Sequence, residues 1–325
     1  MRRFGCLGLL AILAIVGATG WAYRDWRGAG PAARDVTVVI APGSSMAKAA
    51  AQLEKAGAIR SASRFALFAK FLGGGGGIKA GEYRILAHAS AARILSLLQT
   101  GKTMQRLVTI PEGMPSIMAQ ERIMAAPELT GSIGRPAEGS LLPDSYSYES
   151  GATRQSIVDR MQRAMSAYLA KAWASRDPGL VVKTPDEALT LASIVEKETA
   201  KPSERTMVAA VYSNRLKKGM MLQADPTIIY PVTLGKPLGR RILLSEKNAR
   251  NAYNTYTMTG LPKTPIANPS RESIDAVLHP AKSNAIYFVA DGTGGSAFAD
   301  TLDQQNANVQ KWYQIRCRRG EKGFC

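Results

Sequence analysis

Thr184-Pro185-Asp186-Glu187-Ala188-Leu189-Thr190-Leu191-Ala192-Ser193-Ile194-Val195-Glu196-Lys197-Glu198-Thr199 is the stretch on which the fold turns. Thr184 followed three residues later by Glu187 is a capping box. Pro185 sits at the first helical position, where a missing N–H is tolerated, and the acids face the positive end of the helix dipole. The spacing predicts a helix over 185–199. Leu189, Ala192, Ser193 and Glu196 fall at i, i+3, i+4 and i+7, so Glu196 lies on or beside the apolar stripe. Glu198 lies about 200° further round and points elsewhere. A carboxyl facing a cleft from an apolar helix face is desolvated, which raises its pKa as a general acid requires. The plainer alternative is a border Glu paired with Lys197 or Arg205.

Working outward, a helix is expected from Ser203 to about Lys218, and Ile228-Ile229-Tyr230 reads as strand-like. Polar and aromatic residues Tyr253, Asn254, Thr255 and Tyr256 precede a proline-rich loop, and Ser270 opens another helix. Ile286–Ala290 is the clearest strand, and a last helix covers about Thr301–Tyr313. Upstream, Ser156 to about Ser175 is helical, Leu107–Ile110 is a strand, and Leu141–Tyr146 looks like a turn. Before that, residues 36–106 read as a strand-helix-helix-strand-helix unit, in which Gly73–Gly77 is a loop without the Gly-Lys-Ser/Thr of a phosphate cradle. Short strands among clustered helices predict an α+β fold rather than a doubly wound sheet.

Composition narrows the chemistry. The chain has 325 residues, 46% hydrophobic and 21% charged, enough for about two domains. Two His and three Cys all but exclude a His/Cys metal centre or a Cys–His nucleophile pair, leaving carboxylates, Lys or Tyr for acid–base work. The formal charge of +17 asks for solvation or an anionic partner. No nucleic-acid motif and no basic-aromatic interleave accompany it.

Phe4–Tyr23 is a run of twenty residues without charge, preceded by Arg2 and Arg3. Twenty helical residues span about 30 Å, the thickness of a hydrocarbon core, and the leading arginines favour a cytoplasmic start. Trp21 and Tyr23 suit the far headgroup layer. A retained anchor is expected. The alternative is a cleaved signal peptide with Val16-Gly17-Ala18 as a small-residue site. Both readings send the rest of the chain across the membrane, where Cys317 and Cys325 are free to pair or to end a disordered basic tail.

Several strings then carry a resemblance in their order and spacing. They include Ile110-Pro111-Glu112-Gly113, Glu138-Gly139-Ser140-Leu141-Leu142-Pro143-Asp144-Ser145-Tyr146 and Ala192–Thr199. Asn214-Arg215-Leu216, Leu222–Thr227, Tyr253–Tyr256, Gly260-Leu261-Pro262, Pro265–Pro269, His279-Pro280-Ala281 and Tyr287-Phe288-Val289 follow. Together they resemble the membrane-anchored endolytic murein transglycosylases of the YceG type, over nearly the whole chain beyond the apolar segment.

The resemblance implies a fold of an N-terminal transmembrane helix, a small LysM-like α/β module and a larger mixed α+β catalytic domain. The boundaries expected are 1–23 for the anchor, 24–35 for a linker, 36–106 for the module, 107–315 for the catalytic domain and 316–325 for a basic Cys-containing tail. It implies a lytic transglycosylase that cuts peptidoglycan strands internally, between MurNAc and GlcNAc, and leaves 1,6-anhydroMurNAc ends. Its catalytic residue is the first Glu of Glu-Lys-Glu-Thr, here Glu196, the residue that helix geometry also selects. Glycosidases typically use two carboxylates; this reaction needs one, because the attacking hydroxyl belongs to the same sugar. No metal and no organic cofactor is called for. Glu198, Gln223, Asp225, Tyr253, Asn254, Thr255, Tyr256 and Asn268 are the expected substrate-binding residues, and Asp144 is either a secondary carboxylate or a turn cap.

The implied partners are peptidoglycan glycan strands, the inner membrane and peptidoglycan synthases, with no nucleic acid. The implied location is a single-pass inner-membrane protein with a periplasmic catalytic domain. Two positions depart from the family pattern, Ser296 and Gln305, where relatives often carry His. They motivate the competing reading of a non-catalytic, membrane-anchored glycan-binding scaffold.

Overall fold

The computed structural model describes residues 2–199 and 201–320, with side chains described from residue 12 onward. The chain divides into two compact units, one comprising residues 1–106 and 147–151, the other 107–146 and 152–325.

The first unit begins with helix α1 (Arg2–Arg27) and continues as β1 (Val36–Ile40), α2 (Met46–Lys55), α3 (Ala62–Leu72), β2 (Gly81–Ile85) and α4 (Ala91–Thr100). The expected order of strands and helices is present. Each of α2, α3 and α4 starts at a serine, Ser45, Ser61 and Ser90, whose hydroxyl accepts from the backbone N–H three residues on. β1 and β2 pair antiparallel, Val36 opposite Ile85 and Ile40 opposite Gly81. Alternation along the strands buries Val38, Ile40, Tyr83 and Ile85 against Leu53, Phe65, Ile94 and Leu98. Residues 24–35, expected as a linker, are built into this unit. α1 runs on to Arg27, Trp26 is buried in the core, and Ala32 accepts a backbone bond from His88.

Among the described residues no helix is long and apolar enough to cross a membrane. The apolar run Phe4–Tyr23 lies partly outside the residues whose side chains are described.

The second unit continues from β3 (Arg106–Ile110) through α5 (Ser116–Ala125), β4 (Asp144–Tyr148), α6 (Arg154–Ala174), α7 (Pro185–Glu198) and α8 (Arg205–Lys217). It ends with α9 (Pro226–Thr233), α10 (Leu244–Lys247), α11 (Arg271–Leu278), β5 (Tyr287–Ala290), β6 (Ser296–Ala299) and α12 (Leu302–Arg318). The predicted α+β class is what is seen, as two-stranded sheets set among helices: β3 pairs with β4, and β5 with β6. α7 is the hub, in contact with α6, α8, α9 and α11. Every residue from Ala188 to Val195 is buried, so it is a core helix rather than one with a single apolar stripe.

Three local expectations are corrected. Ile228-Ile229-Tyr230, read as a strand, lies inside α9: Pro226 at the first helical position after Asp225 starts a helix there. Of the stretch Leu141–Tyr146 that reads as a turn, Asp144–Tyr146 instead opens strand β4, because β3 supplies its partner. The tail expected from residue 316 is helical as far as Arg318, since α12 runs on past Tyr313. Cys317, near its end, is disulfide-bonded; Cys325 lies outside the described residues.

Candidate active site

The site is assembled at the C-terminal end of α7. Thr184 caps the helix by accepting from the Glu187 N–H at 3.1 Å. The Glu187 carboxylate accepts from the Lys183 N–H, one residue before the cap, a shifted form of the expected box. Midway along, the Ser193 hydroxyl accepts from the Ile266 N–H at 3.0 Å and seats the segment 265–268 on the helix. Glu196 therefore emerges beside a loop already pinned to its own helix.

The side chain of Glu196 is only 6% exposed. Its Oε2 accepts from Ser270 twice, from the backbone N–H at 2.8 Å and from the hydroxyl. Its Oε1 lies 3.5 Å from Arg205 Nη2, longer than an ordinary hydrogen bond. The same guanidinium nitrogen is 3.1 Å from Glu112 Oε2, on the half-exposed Glu of the Ile-Pro-Glu-Gly string. The ion pair with Arg205 foreseen for a border Glu is thus present, but as one part of a larger constellation. One oxygen of Glu196 is locked and the other is loosely held.

The loop in front of Glu196 is shaped by glycine and by Asn268. Gly113 has φ +66°, and a Cβ there would stand 3.2 Å from Glu196 Cγ. Only glycine gives this left-handed turn and leaves the carboxyl arm its room. Asn268 is fully buried and clamps the loop. Its Oδ1 accepts from the Leu141 N–H at 3.0 Å, its Nδ2 donates to the Met114 carbonyl at 2.8 Å and to Ser116 Oγ at 3.1 Å, and its carbonyl accepts from the Gly113 N–H. Two residues on, the chain presents Ser270 to Glu196. Glu138 supports the same loop, accepting from the Ser116 N–H at 2.8 Å, and burial pushes its carboxyl upward.

Glu198 lies on the other side of α7 with its carboxyl buried. Burial, reinforced by the negative charge of Asp225, pushes its carboxyl up to about 7, while Arg215 and the Tyr212 hydroxyl oppose the rise. One of its oxygens, Oε1, is buried without a hydrogen-bond partner. Asp225, exposed on the outer side of this cluster, accepts from the Tyr256 hydroxyl at 2.7 Å. Burial and that bond raise the phenol, and the Lys247 ammonium lies 4.7 Å from the centre of its ring. Gln223 is exposed with φ +54°, a left-handed backbone unusual for Gln. Its N–H donates to the Thr255 carbonyl.

The structure separates the remaining predicted residues into surface and support. Tyr253 and Tyr256 are partly exposed. The Tyr253 ring packs 4.9 Å from that of Tyr230, and its hydroxyl meets Thr264 Oγ1 at 3.1 Å. Asn254 and Thr255 are fully buried. The Asn254 amide donates to the carbonyls of Lys247 and Ala249, and the Thr255 hydroxyl binds the Ala224 N–H and Thr227. These two, like Asn268, hold loops, and any effect on a sugar passes through the loops they fix. Next to Lys197 a concavity of 260 Å³ is lined by Pro226, Ile229, Gly235, Lys236 and Ile266. At the start of β4 the Asp144 carboxylate accepts from the Ser145 N–H and pairs with Arg271 at 3.0 Å. Gln305 donates to the Phe288 carbonyl, and the Ser296 N–H donates to Glu204. Among the described residues no group of three or more His, Cys, Asp or Glu is placed to hold a metal ion.

Sequence reasoning missed Ser270 as a site residue. It was read as a helix start, and it is one: its hydroxyl accepts from the Ser273 N–H at 3.2 Å. Nothing in the local pattern reveals that the same hydroxyl donates to a carboxylate 74 residues away. Glu138 was visible only as a letter in a motif.

Residues 38–311 match the YceG-like family. An endolytic murein transglycosylase of Bacillus subtilis strain 168 is 28% identical over 310 residues, covering 85% of this chain and 84% of that one. An endolytic murein transglycosylase of Streptococcus pneumoniae D39 is 31% identical over 324 residues and 84% of this chain, which spans 58% of the pneumococcal protein's length. A crystal structure of a YceG-like protein from Listeria monocytogenes superposes with a TM-score of 0.54 at 29% identity, covering 84% of this chain and 98% of that one.

Proposed function

Since the chain belongs to the YceG-like family, we propose that it is a lyase acting on peptidoglycan, an endolytic murein transglycosylase with Glu196 as its single catalytic residue. The observation that carries the reading is the inequality of the two Glu196 oxygens. Oε2 is occupied by both donors of Ser270, while among the described residues the hydrogen-bonding group facing Oε1 is Arg205, at 3.5 Å. A carboxyl held by one oxygen presents the other in a fixed direction, as a proton donor must be presented.

In the proposed reaction the Glu196 carboxyl gives its proton from Oε1 to the glycosidic oxygen between MurNAc and GlcNAc. The C1–O bond breaks as positive charge develops on the MurNAc ring, and GlcNAc leaves with a free 4-hydroxyl. The Glu196 carboxylate then takes the proton of the MurNAc C6 hydroxyl. O6 bonds to C1, closing the 1,6-anhydro ring and restoring the acid. No water is consumed. The attacking group is already on the sugar, so its entropy loss is small. Arg205, whose Nη2 lies 3.1 Å from Glu112 and 3.5 Å from Glu196, stands beside the carboxylate that is left once the proton has gone. We assign Gln223, Asp225, Tyr253 and Tyr256 to sugar binding, because amide, carboxylate and aromatic groups suit sugar hydroxyls and faces.

We further propose that α1 is a single-pass anchor in the inner membrane. Both units then lie on the periplasmic side beside peptidoglycan synthases, where internal cleavage ends the growth of nascent strands. The exposed apolar side chains Ile12, Leu13, Ile15 and Val16, followed by exposed Trp21 and Tyr23, support the anchor. The β1-α2-α3-β2 order of the first unit supports its reading as LysM-like.

Digestion of purified sacculi, followed by separation of the products, tests the activity. Anhydromuramoyl ends are expected from the wild type and not from Glu196→Gln. Reducing-end muramic acid instead would make the protein a hydrolase. No product at all would favour the glycan-binding scaffold, and equal product from Glu196→Gln would remove Glu196 from the chemistry.

A further inference from the structure

The first unit carries an apolar edge that its own core does not use. On α3, Phe65 and Ala69 are buried, but Leu67, Phe71 and Leu72 are exposed, Phe71 by 73%. Arg64, Leu67, Phe68 and Phe71 are spaced i, i+3, i+4 and i+7, one face of the helix. That face has a fixed bearing on α1. The Arg64 guanidinium lies 5.2 Å from the centre of the exposed Trp21 ring. Further along α1, Trp26 packs against Phe65 and Phe68 with ring centroids 5.9 Å apart in each case. Asp25 is 3.7 Å from both Arg60 and Arg64. α3 is therefore locked to α1 at the level where exposed Ile12–Val16 gives way to Trp21, Tyr23, Arg24 and Arg27.

Charge in this region is predominantly basic. Residues 60–80 contain no Asp or Glu, and Asp25 is the single acid of residues 2–34. Arg24, Arg27 and Lys70 are exposed, and the Lys70 ammonium lies 6.0 Å from the Phe71 ring centre. Exposed Leu and Phe beside Arg and Lys on a helix is the pattern of an element lying in the plane of a membrane interface. The aliphatic stems of the basic residues cover apolar surface while their heads reach lipid phosphates.

We infer that α3 is a second membrane contact: its Leu67–Phe71–Leu72 edge enters the headgroup layer of an anionic bilayer, with Arg24, Arg27, Arg64 and Lys70 on lipid phosphates. This rests on the reading of α1 as an anchor, and two observations name the occupant. The edge is continuous with the exposed apolar surface of α1 through the Arg64–Trp21 contact, and the cations around it complement an anionic surface. The first unit is then held against the bilayer at two points instead of swinging from one.

The test uses the full chain in liposomes of phosphatidylcholine with or without phosphatidylglycerol. The photo-crosslinker p-benzoylphenylalanine is placed in turn at positions 15, 71 and 39, and adducts are read by mass spectrometry. Position 39, exposed on β1, is the control. Lipid adducts are expected at 15 and 71 and not at 39. Phosphatidylglycerol should raise the yield at 71, and each of Arg64→Gln and Lys70→Gln should lower that gain by about fivefold. A lipid adduct at 15 with none at 71 would overturn the α3 contact and leave the anchor standing. An adduct at 71 to another protein would do the same. No lipid adduct at 15 would remove the anchor, and the α3 inference with it.

Discussion

Glu198→Gln separates the burial of this carboxyl from its charge. In the folded protein the Glu198 carboxyl is raised from its ordinary 4.5 to about 7, first by burial and then by Asp225. In the unfolded chain it keeps the ordinary value. Below 4.5 both states hold the proton and the group contributes no pH dependence. Between 4.5 and 7 the unfolded chain releases its proton while the folded protein retains it, so stability falls as pH rises through this window. At about 1.4 kcal/mol per pH unit the total loss is about 3 kcal/mol, complete above 7. Gln has the same shape and no proton to release. Urea unfolding of wild type and variant from pH 4 to pH 8 is the assay. The variant should gain on the wild type by about 3 kcal/mol between the ends of this range, whatever the offset at low pH. Asp225→Asn in the wild-type background should make the pH slope shallower, since it removes the second cause of the rise. A difference between wild type and Glu198→Gln that stays constant with pH, or shrinks as pH rises, would refute the reasoning.

Ser270→Ala removes one of the two donors to Glu196 Oε2. A hydrogen bond to a charged group is worth about 1.5–3 kcal/mol, so turnover on sacculi should fall by about 10- to 100-fold, and Ser270→Thr should restore part of it. The same change removes the cap of α11 and should cost about 1 kcal/mol in denaturant titrations. Gly113→Ala forces a side chain into a left-handed backbone, at about 1–2 kcal/mol, and puts a methyl 3.2 Å from Glu196 Cγ. Both thermal stability and turnover should drop. Asn268→Ala strands the buried partners of its amide and should destabilise by about 1–3 kcal/mol for each; an unchanged melting temperature would deny Asn268 its clamp.

Signals confined to one helix were legible in the sequence. Thr184, Pro185 and the acids of the first turn mark the start of α7 because capping is local chemistry. The 3.6-residue period put Glu196 and Glu198 on different sides of it. Features that depend on distant partners were not legible. Ile228-Ile229-Tyr230 is too short for its period to separate strand from buried helix, although Asp225-Pro226 already carried a helix start. Asp144–Tyr148 is a strand only because β3 lies beside it. Ser270 shows its capping role locally, and its hold on Glu196 only once α7 and α11 are packed together. The most perturbed carboxyl near the end of α7 is that of Glu198, whose environment comes from Tyr212, Arg215 and Asp225 on other segments.

The helix that begins the chain does not hand over to a hinge. α1 is unbroken to Arg27, and Trp26, still helical, is sealed in the core of the first unit. Mechanically this is a crankshaft rather than a tether. Any roll of the apolar segment about its axis becomes a roll of the whole first unit through the same angle. One alanine inserted between Tyr23 and Trp26 should turn that unit by about 100° and lift it by about 1.5 Å. Adding seven should nearly restore the bearing, since two helical turns are close to seven residues, while lifting it by about 10 Å. Phase and height along this shaft are therefore separately adjustable, through the number of residues between the apolar run and Trp26.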